Sequence, residues 1–372
     1  LTGKGLNAYR VAGIGSDHET TSLAEAQEKL ARGFYLMIRE GSTAKNLTDL
    51  LPAVTPVSAR RTMLVTDDCQ PEDLWERGHM DHLVKMAVAL GCPPLMALTM
   101  ATLNPAEYFR FRDRGAVAPG YQADLLVVNN LTELRVEKVL KGGRLVAAEG
   151  SLTDDCSLAP TPLPPSSMHL SHLSAASLVL PAAGEVAKVI QILPEQLLTG
   201  KLLMTPTVDS GLVQSDTHRD ILKLAVVERH QGTGNVGLGL VQGFGLKRGA
   251  LASSVAHDSH NIIVVGVNDQ DMWTAVRHLA EIGGGLAVAA DGKILADLPL
   301  PIAGLMSPEP VAAVAAGHAA VTRASKELGA VPTDPFMALS FLALPVIPAL
   351  KLTDRGLVDV NRFALVSLFG PD

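Results

Sequence analysis

Short apolar runs alternate with amphipathic stretches over the first 68 residues. Residues 11–15, 34–38 and 63–65 read as buried strands, because each run is short, apolar and bounded by polar or glycine-rich segments. Between the first two, Ser22 followed three residues later by Glu25 is a capping-box signal for a helix start, and residues 44–51 predict a second helix. Strands separated by helices predict a parallel sheet or barrel. Three such units cannot close an eight-stranded barrel, so either further strands precede Leu1 or the sheet is open. The chain opens on Leu1 with no initiator methionine and is read as a fragment of something longer.

Polar residues follow these runs closely. Ser16, Asp17, His18 and Glu19 leave the first, and Thr66, Asp67 and Asp68 leave the third. In parallel α/β barrels the C-terminal strand ends carry the chemistry, and a carboxylate or imidazole held there suits a metal ligand or general base. The plainer alternative is that Asp67 and Asp68 cap the helix that begins near Pro71.

Residues 79–90 and 94–100 predict helices, broken by Gly91, Cys92, Pro93 and Pro94, and Asn104-Pro105 is expected to end the second. Residues 112–128 turn to strand. Residues 135–140 and 144–148 then flank Gly142-Gly143, a pair suited to a type I′ hairpin turn. Residues 151–181 lose all periodicity and read as a linker, and from Gly184 strands and helices are expected to alternate again. The division expected is therefore residues 1–110, 111–150, a linker over 151–181, and 182–372.

Composition narrows the class. The 372 residues are 47% hydrophobic and 19% charged, which describes a globular chain long enough for two cores. A formal charge of −7 without a basic patch argues against nucleic acid as a partner. Cys69, Cys92 and Cys156 are widely spaced, which suits a reducing cytoplasm and offers neither a disulfide framework nor a cysteine zinc site. No apolar run reaches membrane-spanning length.

Two further patterns invite chemistry. Gly232, Gly234 and Gly237 fit G-x-G-x-x-G, but the dinucleotide motif needs a helix to start within it, and the glycine-rich 238–245 that follows predicts none. His257, Asp258, His260 and Asn261 stand within five residues directly before an apolar run, denser in acid–base groups than a turn requires. Hydrogen bonds within a polar turn are the alternative there. His79 and His82, three apart on a predicted helix, fit either a ligand pair or solvated positions.

Several blocks together resemble bacterial adenine deaminases, a family of the amidohydrolase superfamily. They are Ser16 to Glu19, Arg39 to Asn46, Thr66 to Asp68, Gly78 to His82, Ala101 to Tyr108, Ala256 to Asn261 and Leu298 to Met306. The resemblance implies an α/β protein: part of a metal-dependent (β/α)8 barrel, a small β-sandwich and an additional C-terminal α/β domain. It implies hydrolytic deamination of adenine to hypoxanthine and ammonia in cytoplasmic purine salvage, by a homo-oligomer. His18 and Asp67 then match metal ligands of a binuclear manganese, iron or zinc centre, with Asp67 also the catalytic proton shuttle. Glu19, Asp68, His257, Asp258, His260 and Asn261 become candidates for holding adenine, the last four on a loop expected to fold over the barrel mouth. The family's His-x-His pair, bridging glutamate and fifth-strand histidine have no counterpart in this sequence. An amidohydrolase acting on another purine or cyclic amide, and an incomplete fragment acting as a binding module, stay open as alternatives.

Overall fold

Fixing a strand requires both that its residues prefer an extended backbone and that its apolar side chains find a core, and the second condition decides the N-terminal region. The computed structural model describes residues 1–153, 162–170, 172–194 and 196–370. They fall into two compact units, Leu1–Pro160 and Thr161–Asp372.

The first unit begins with helix α1 (Gly3–Val11), where a strand over 11–15 was expected. Val11 is 89% exposed, so this apolar run faces away from the core and cannot be held as a buried strand. What remains is a two-residue strand β1 (Ser16–Asp17), followed by α2 (Leu23–Ala31), β2 (Tyr35–Arg39), a short α3 (Leu47–Leu50) and β3 (Thr62–Val65). Ser22 caps α2 by accepting the Glu25 N–H, as its spacing predicts. Helix α3 is shorter than 44–51 because Glu40 accepts the Leu47 N–H at its start and Pro52 follows. The three strands pair in parallel in the order β1-β2-β3. Leu36, Ile38 and Leu64 on them meet Leu47, Leu50, Leu83, Ala97 and Met100 in one core.

Helix α4 (Pro71–Glu76) has Gln70 at its N-cap position. Helices α5 (Met80–Ala89), α6 (Pro94–Ala101) and α7 (Leu103–Tyr108) complete the layer. Asn104-Pro105 does not terminate helix here; it lies inside α7, with Pro105 in the first turn where an N–H has no partner to lose. The buried Asn104 amide donates to the carbonyls of Ala59 and Thr62, both at 2.7 Å, and so ties α7 to the start of β3. Asn104→Ala strands those carbonyls and is expected to cost about 2 kcal/mol, read as a lower urea midpoint.

An antiparallel sheet follows, β4 (Leu125–Val128), β5 (Val136–Lys141), β6 (Arg144–Ala148) and β7 (Ser151–Leu152). Gly142 and Gly143 turn between β5 and β6 with φ of 56° and 80°, the positive values a type I′ turn demands. Residues 112–124 stay irregular, so the strand expected over 112–128 is confined to β4.

The second unit is organised around one sheet. Its strands are β8 (Ala187–Ile192), β9 (Thr199–Met204), β10 (Thr207–Asp209), β11 (Leu212–Gln214), β12 (Ile221–Val227), β13 (Val236–Gln242), β14 (Ala250–Ser253), β15 (Ile262–Gly266), β16 (Gly285–Ala290) and β17 (Lys293–Pro299). The large sheet runs β17-β16-β14-β15-β12-β13-β8-β9, and β10 and β11 form a separate hairpin. Helices α8 (Asp269–Glu281), α9 (Val311–Glu327) and α10 (Pro335–Phe341) precede a small sheet of β18 (Leu350–Thr353), β19 (Gly356–Asp359) and β20 (Ala364–Val366).

The alternation of strand and helix expected from Gly184 onward is not what forms. Within the large sheet every pairing but β13 with β8 is antiparallel. Its central strands are covered on both faces, which produces the continuous apolar runs usually associated with parallel sheets. Ala225, Ala250, Ala252, Ile262 and Val264 face α8, while Leu224, Val226, Leu251, Ile263 and Val265 face the core shared with α9, α10 and β18. The linker region overlaps β7 and a 3-10 turn, Ala175–Leu178; residues 154–161 and 171 within it lie outside the described residues. No helix among the described residues is long and apolar enough to cross a membrane.

Candidate active site

Parallel pairing brings the C-terminal ends of β1, β2 and β3 to one edge, with Asp17 opposite Leu36 and Arg39 opposite Val65. The side chains leaving that edge bond to one another. Arg39, 7% exposed, directs Nη1 to Asp67 Oδ2 at 2.8 Å, Nη2 to Glu19 Oε2 at 3.0 Å and Nε to Asn46 Oδ1 at 3.0 Å. Glu19 in turn reaches His18 Nε2 with its other oxygen at 3.2 Å. His18 and Asp67 therefore belong to one connected group, His18–Glu19–Arg39–Asp67.

The backbone that presents them is constrained from below. Lys29, 1% exposed, places its ammonium on Asp17 Oδ2 at 3.0 Å, Glu25 Oε1 at 2.8 Å and Thr20 Oγ1 at 2.9 Å. Burial alone would raise the Asp17 carboxyl, but Lys29, Thr20 and the Glu19 N–H outweigh it and hold the group below its usual range. Tyr108 donates its hydroxyl to Ser16 Oγ at 2.7 Å. Asp67 has φ of 60°, a left-handed conformation that aspartate tolerates better than most residues, and its Oδ1 accepts the Asp68 N–H at 2.9 Å. The Asp68 carbonyl accepts the Ser42 N–H.

An imidazole and a carboxylate at one strand edge fit two positions around a borderline divalent cation. Among the described residues no group of three or more His, Cys, Asp or Glu is placed to hold a metal ion, so these two donors are a partial set. Beside this edge lies a cavity of about 260 Å³, lined by Glu40, Lys45, Thr66, Asp73, His79 and His82 among others. His79 precedes α5 and meets the Thr66 hydroxyl at 3.2 Å through Nε2. Cys69 also lines it, with a thiol pushed up by burial and by Asp73, Asp68 and Asp67 despite a hydrogen bond to Thr66. Cys69 and Cys92 are free thiols, and Cys156 lies outside the described residues.

The second unit gathers the other predicted group. His257 Nδ1 meets Ser340 Oγ at 2.7 Å, and its ring stacks on Phe341 with centroids 4.5 Å apart. Asp258 is exposed, and the Ser259 carbonyl faces His230 Nε2 at 2.8 Å. Burial, then the neighbouring His257 and Arg229, push His260 below its usual pKa, so it is neutral near pH 7. His260 Nδ1 and Asn261 Oδ1 are buried and have no hydrogen-bond partner among the described residues.

The glycine motif is explained by the residue before it. Glu228 accepts the N–H groups of His230, Gln231 and Thr233 and the Thr233 hydroxyl, occupying with its own carboxylate the donors a phosphate would need. Gly237 lies in β13, where a Cβ would stand 1.8 Å from the Thr353 carbonyl oxygen, so glycine is required by a backbone crossing. Burial would raise the Glu228 carboxyl, but these donors lower it from 4.5 to about 2. A depressed carboxylate stabilises the fold above its unfolded pKa and loses that contribution as pH falls through the folded value. Glu228→Gln is therefore expected to be less stable than wild type at pH 7, with the gap in denaturant midpoint closing between pH 4.5 and 2.

The sequence placed both groups of residues but missed Arg39, although it stands in the block from Arg39 to Asn46. The available signal was an arginine at a strand exit with acidic residues at the two neighbouring exits.

Residues 1–146 match the amidohydrolase family and residues 196–364 match the adenine deaminase C-terminal domain. The chain is 52% identical to the adenine deaminase of Desulfatibacillum aliphaticivorans, over 99% of this chain and 65% of that one. It is 49% identical to adenine deaminase 2 of Carboxydothermus hydrogenoformans and 48% identical to the adenine deaminase of Dehalococcoides mccartyi strain ATCC BAA-2266, each over 98% of this chain and 64% of the relative. It thus spans about 65% of the length of the first of these curated relatives. Amidohydrolases generally use a divalent metal. Residues 1–146 thus carry an amidohydrolase match and residues 196–364 an adenine deaminase C-terminal domain match, and over nearly its whole length the chain is similar to adenine deaminases.

Proposed function

We propose that the protein converts adenine and water to hypoxanthine and ammonia, in purine salvage in the cytoplasm. The observation that carries this reading is the connected group His18–Glu19–Arg39–Asp67 at the C-terminal edge of three parallel strands, in a chain whose relatives are adenine deaminases. In this reading residues 1–110 are part of a (β/α)8 barrel, 111–150 a β-sandwich segment, 151–181 a linker and 182–372 the C-terminal domain. Free thiols at Cys69 and Cys92 suit a reducing compartment.

His18 and Asp67 would hold one ion of a binuclear manganese, iron or zinc centre, the borderline metals that mixed nitrogen and oxygen donors favour. A bound divalent cation supplies a water acidic enough to act as a nucleophile near neutral pH. Asp67 would take a proton from the attacking water and pass it to a ring nitrogen or to the departing ammonia. Each of its oxygens spends one acceptor site, Oδ1 on the Asp68 N–H and Oδ2 on Arg39, which leaves one site for the cation and one for the proton.

Adenine carries no charge and presents an amino group and ring nitrogens, so its site needs a few placed hydrogen-bond donors and acceptors. We assign polar contacts with adenine to Glu19 and Asp68 in the first unit, and take His257, Asp258, His260 and Asn261 of the second unit as a separate candidate group for such a ligand. The neutral imidazole of His260 and the unpaired Asn261 amide oxygen support the choice of the last two. The test is a substrate panel on the protein as its gene encodes it, loaded with manganese, iron or zinc. Ammonia release from adenine, with none from guanine and no opening of cyclic amides, is expected. Cyclic-amide hydrolysis without adenine turnover would replace this reading with that of a different amidohydrolase.

A further inference from the structure

We infer that Arg39 is a positioning residue that sets the places of both proposed metal ligands, Asp67 directly and His18 through Glu19. The inference rests on the adenine deaminase reading and adds to it a residue outside the proposed ligands. Arg39 ends the middle of the three strands, so its guanidinium can reach the exits of both neighbours at once. One nitrogen holds Asp67, a second holds Glu19 and the third is fixed by Asn46.

Neither partner is well fixed without it. Asp67 has left the extended backbone of β3 for φ of 60°, so the strand no longer dictates where its carboxylate lies. Glu19 is 66% exposed, and the oxygen that Arg39 does not hold is the one at 3.2 Å from His18 Nε2. Orienting an imidazole through a carboxylate is a common way of presenting its nitrogen lone pair to a cation. A lysine cannot substitute, because one ammonium lacks the planar fork that spans carboxylates on opposite sides while also meeting an amide oxygen.

Three substitutions in the protein as encoded test this, with kcat, KM for adenine and bound metal per chain as readouts. Arg39→Met is expected to lower kcat about 100-fold, the scale of a displacement near 1 Å at a reacting centre, and to raise KM for adenine as Glu19 loses its anchor. Its affinity for manganese should fall about tenfold, at the lower end for loss of a group that orients a ligand. Arg39→Lys keeps the charge and should stay at least tenfold below wild type. Guanidinium ion added to Arg39→Ala should restore part of kcat and of the metal content and leave wild type unaffected.

Wild-type kcat and metal content in Arg39→Met, or full recovery in Arg39→Lys, would overturn the inference. Should Arg39→Met fail to fold, Arg39→Lys and the guanidinium response decide it. A wild-type protein that binds manganese but leaves adenine unchanged overturns the proposed reaction. Metal affinity in the variants would still judge Arg39.

Discussion

Asp67→Asn is expected to lower kcat for adenine by about 1000-fold, within the range general acid–base groups contribute. The substitution is close to isosteric. Its amide oxygen can keep either the Asp68 N–H or one Arg39 nitrogen, so the strand edge should remain folded. What disappears is the anionic oxygen that accepts the proton of water, together with half of the charge pairing Arg39. Steady-state kinetics with circular dichroism and bound-metal analysis separate these effects. A folded variant with wild-type kcat would remove Asp67 from the mechanism.

The second large effect concerns stability. Arg229 is 1% exposed and has no carboxylate bonded to its guanidinium among the described residues. It donates to the His260 carbonyl at 2.5 Å, the Ser167 hydroxyl at 2.6 Å and the Ala303 carbonyl at 2.9 Å, joining three loops of the second unit. Burial, partly offset by Glu228, lowers its pKa from 12.5 to about 10, so it remains charged at neutral pH. Arg229→Ala leaves those acceptors without a donor and opens a cavity, against which stands only the relief of burying a charge. A net loss of about 3 kcal/mol is expected, or roughly 6–12 °C in Tm for a unit of this size. Scanning calorimetry checks it, and an unchanged Tm would show that water replaces the guanidinium.

The legibility of this chain varied with how much local pattern each feature needed. Met63 to Val65 announced β3 because an apolar run led by the buried Met63 and Leu64 is followed within two residues by Asp67. β1 was hidden because it is two residues long and held by polar groups, Lys29 on Asp17 and Tyr108 on Ser16, which no hydrophobic period reveals. Val11 misled because an exposed apolar residue looks the same in sequence as a buried one. In the second unit, strands buried on both faces concealed their antiparallel order, since direction is set by partners far along the chain. Arg39 was legible as a residue but not as a bridge, because its role exists only once three strand ends lie side by side.

The claim on which the mechanism turns is that His18 and Asp67 grip the same cation. A crystal structure of the zinc-loaded protein as encoded, with the metal located by anomalous scattering, tests it most directly. An ion within roughly 2.0–2.2 Å of a His18 ring nitrogen and an Asp67 carboxylate oxygen is the predicted result. Zinc bound elsewhere, with His18 and Asp67 still joined only to Glu19 and Arg39, would contradict it.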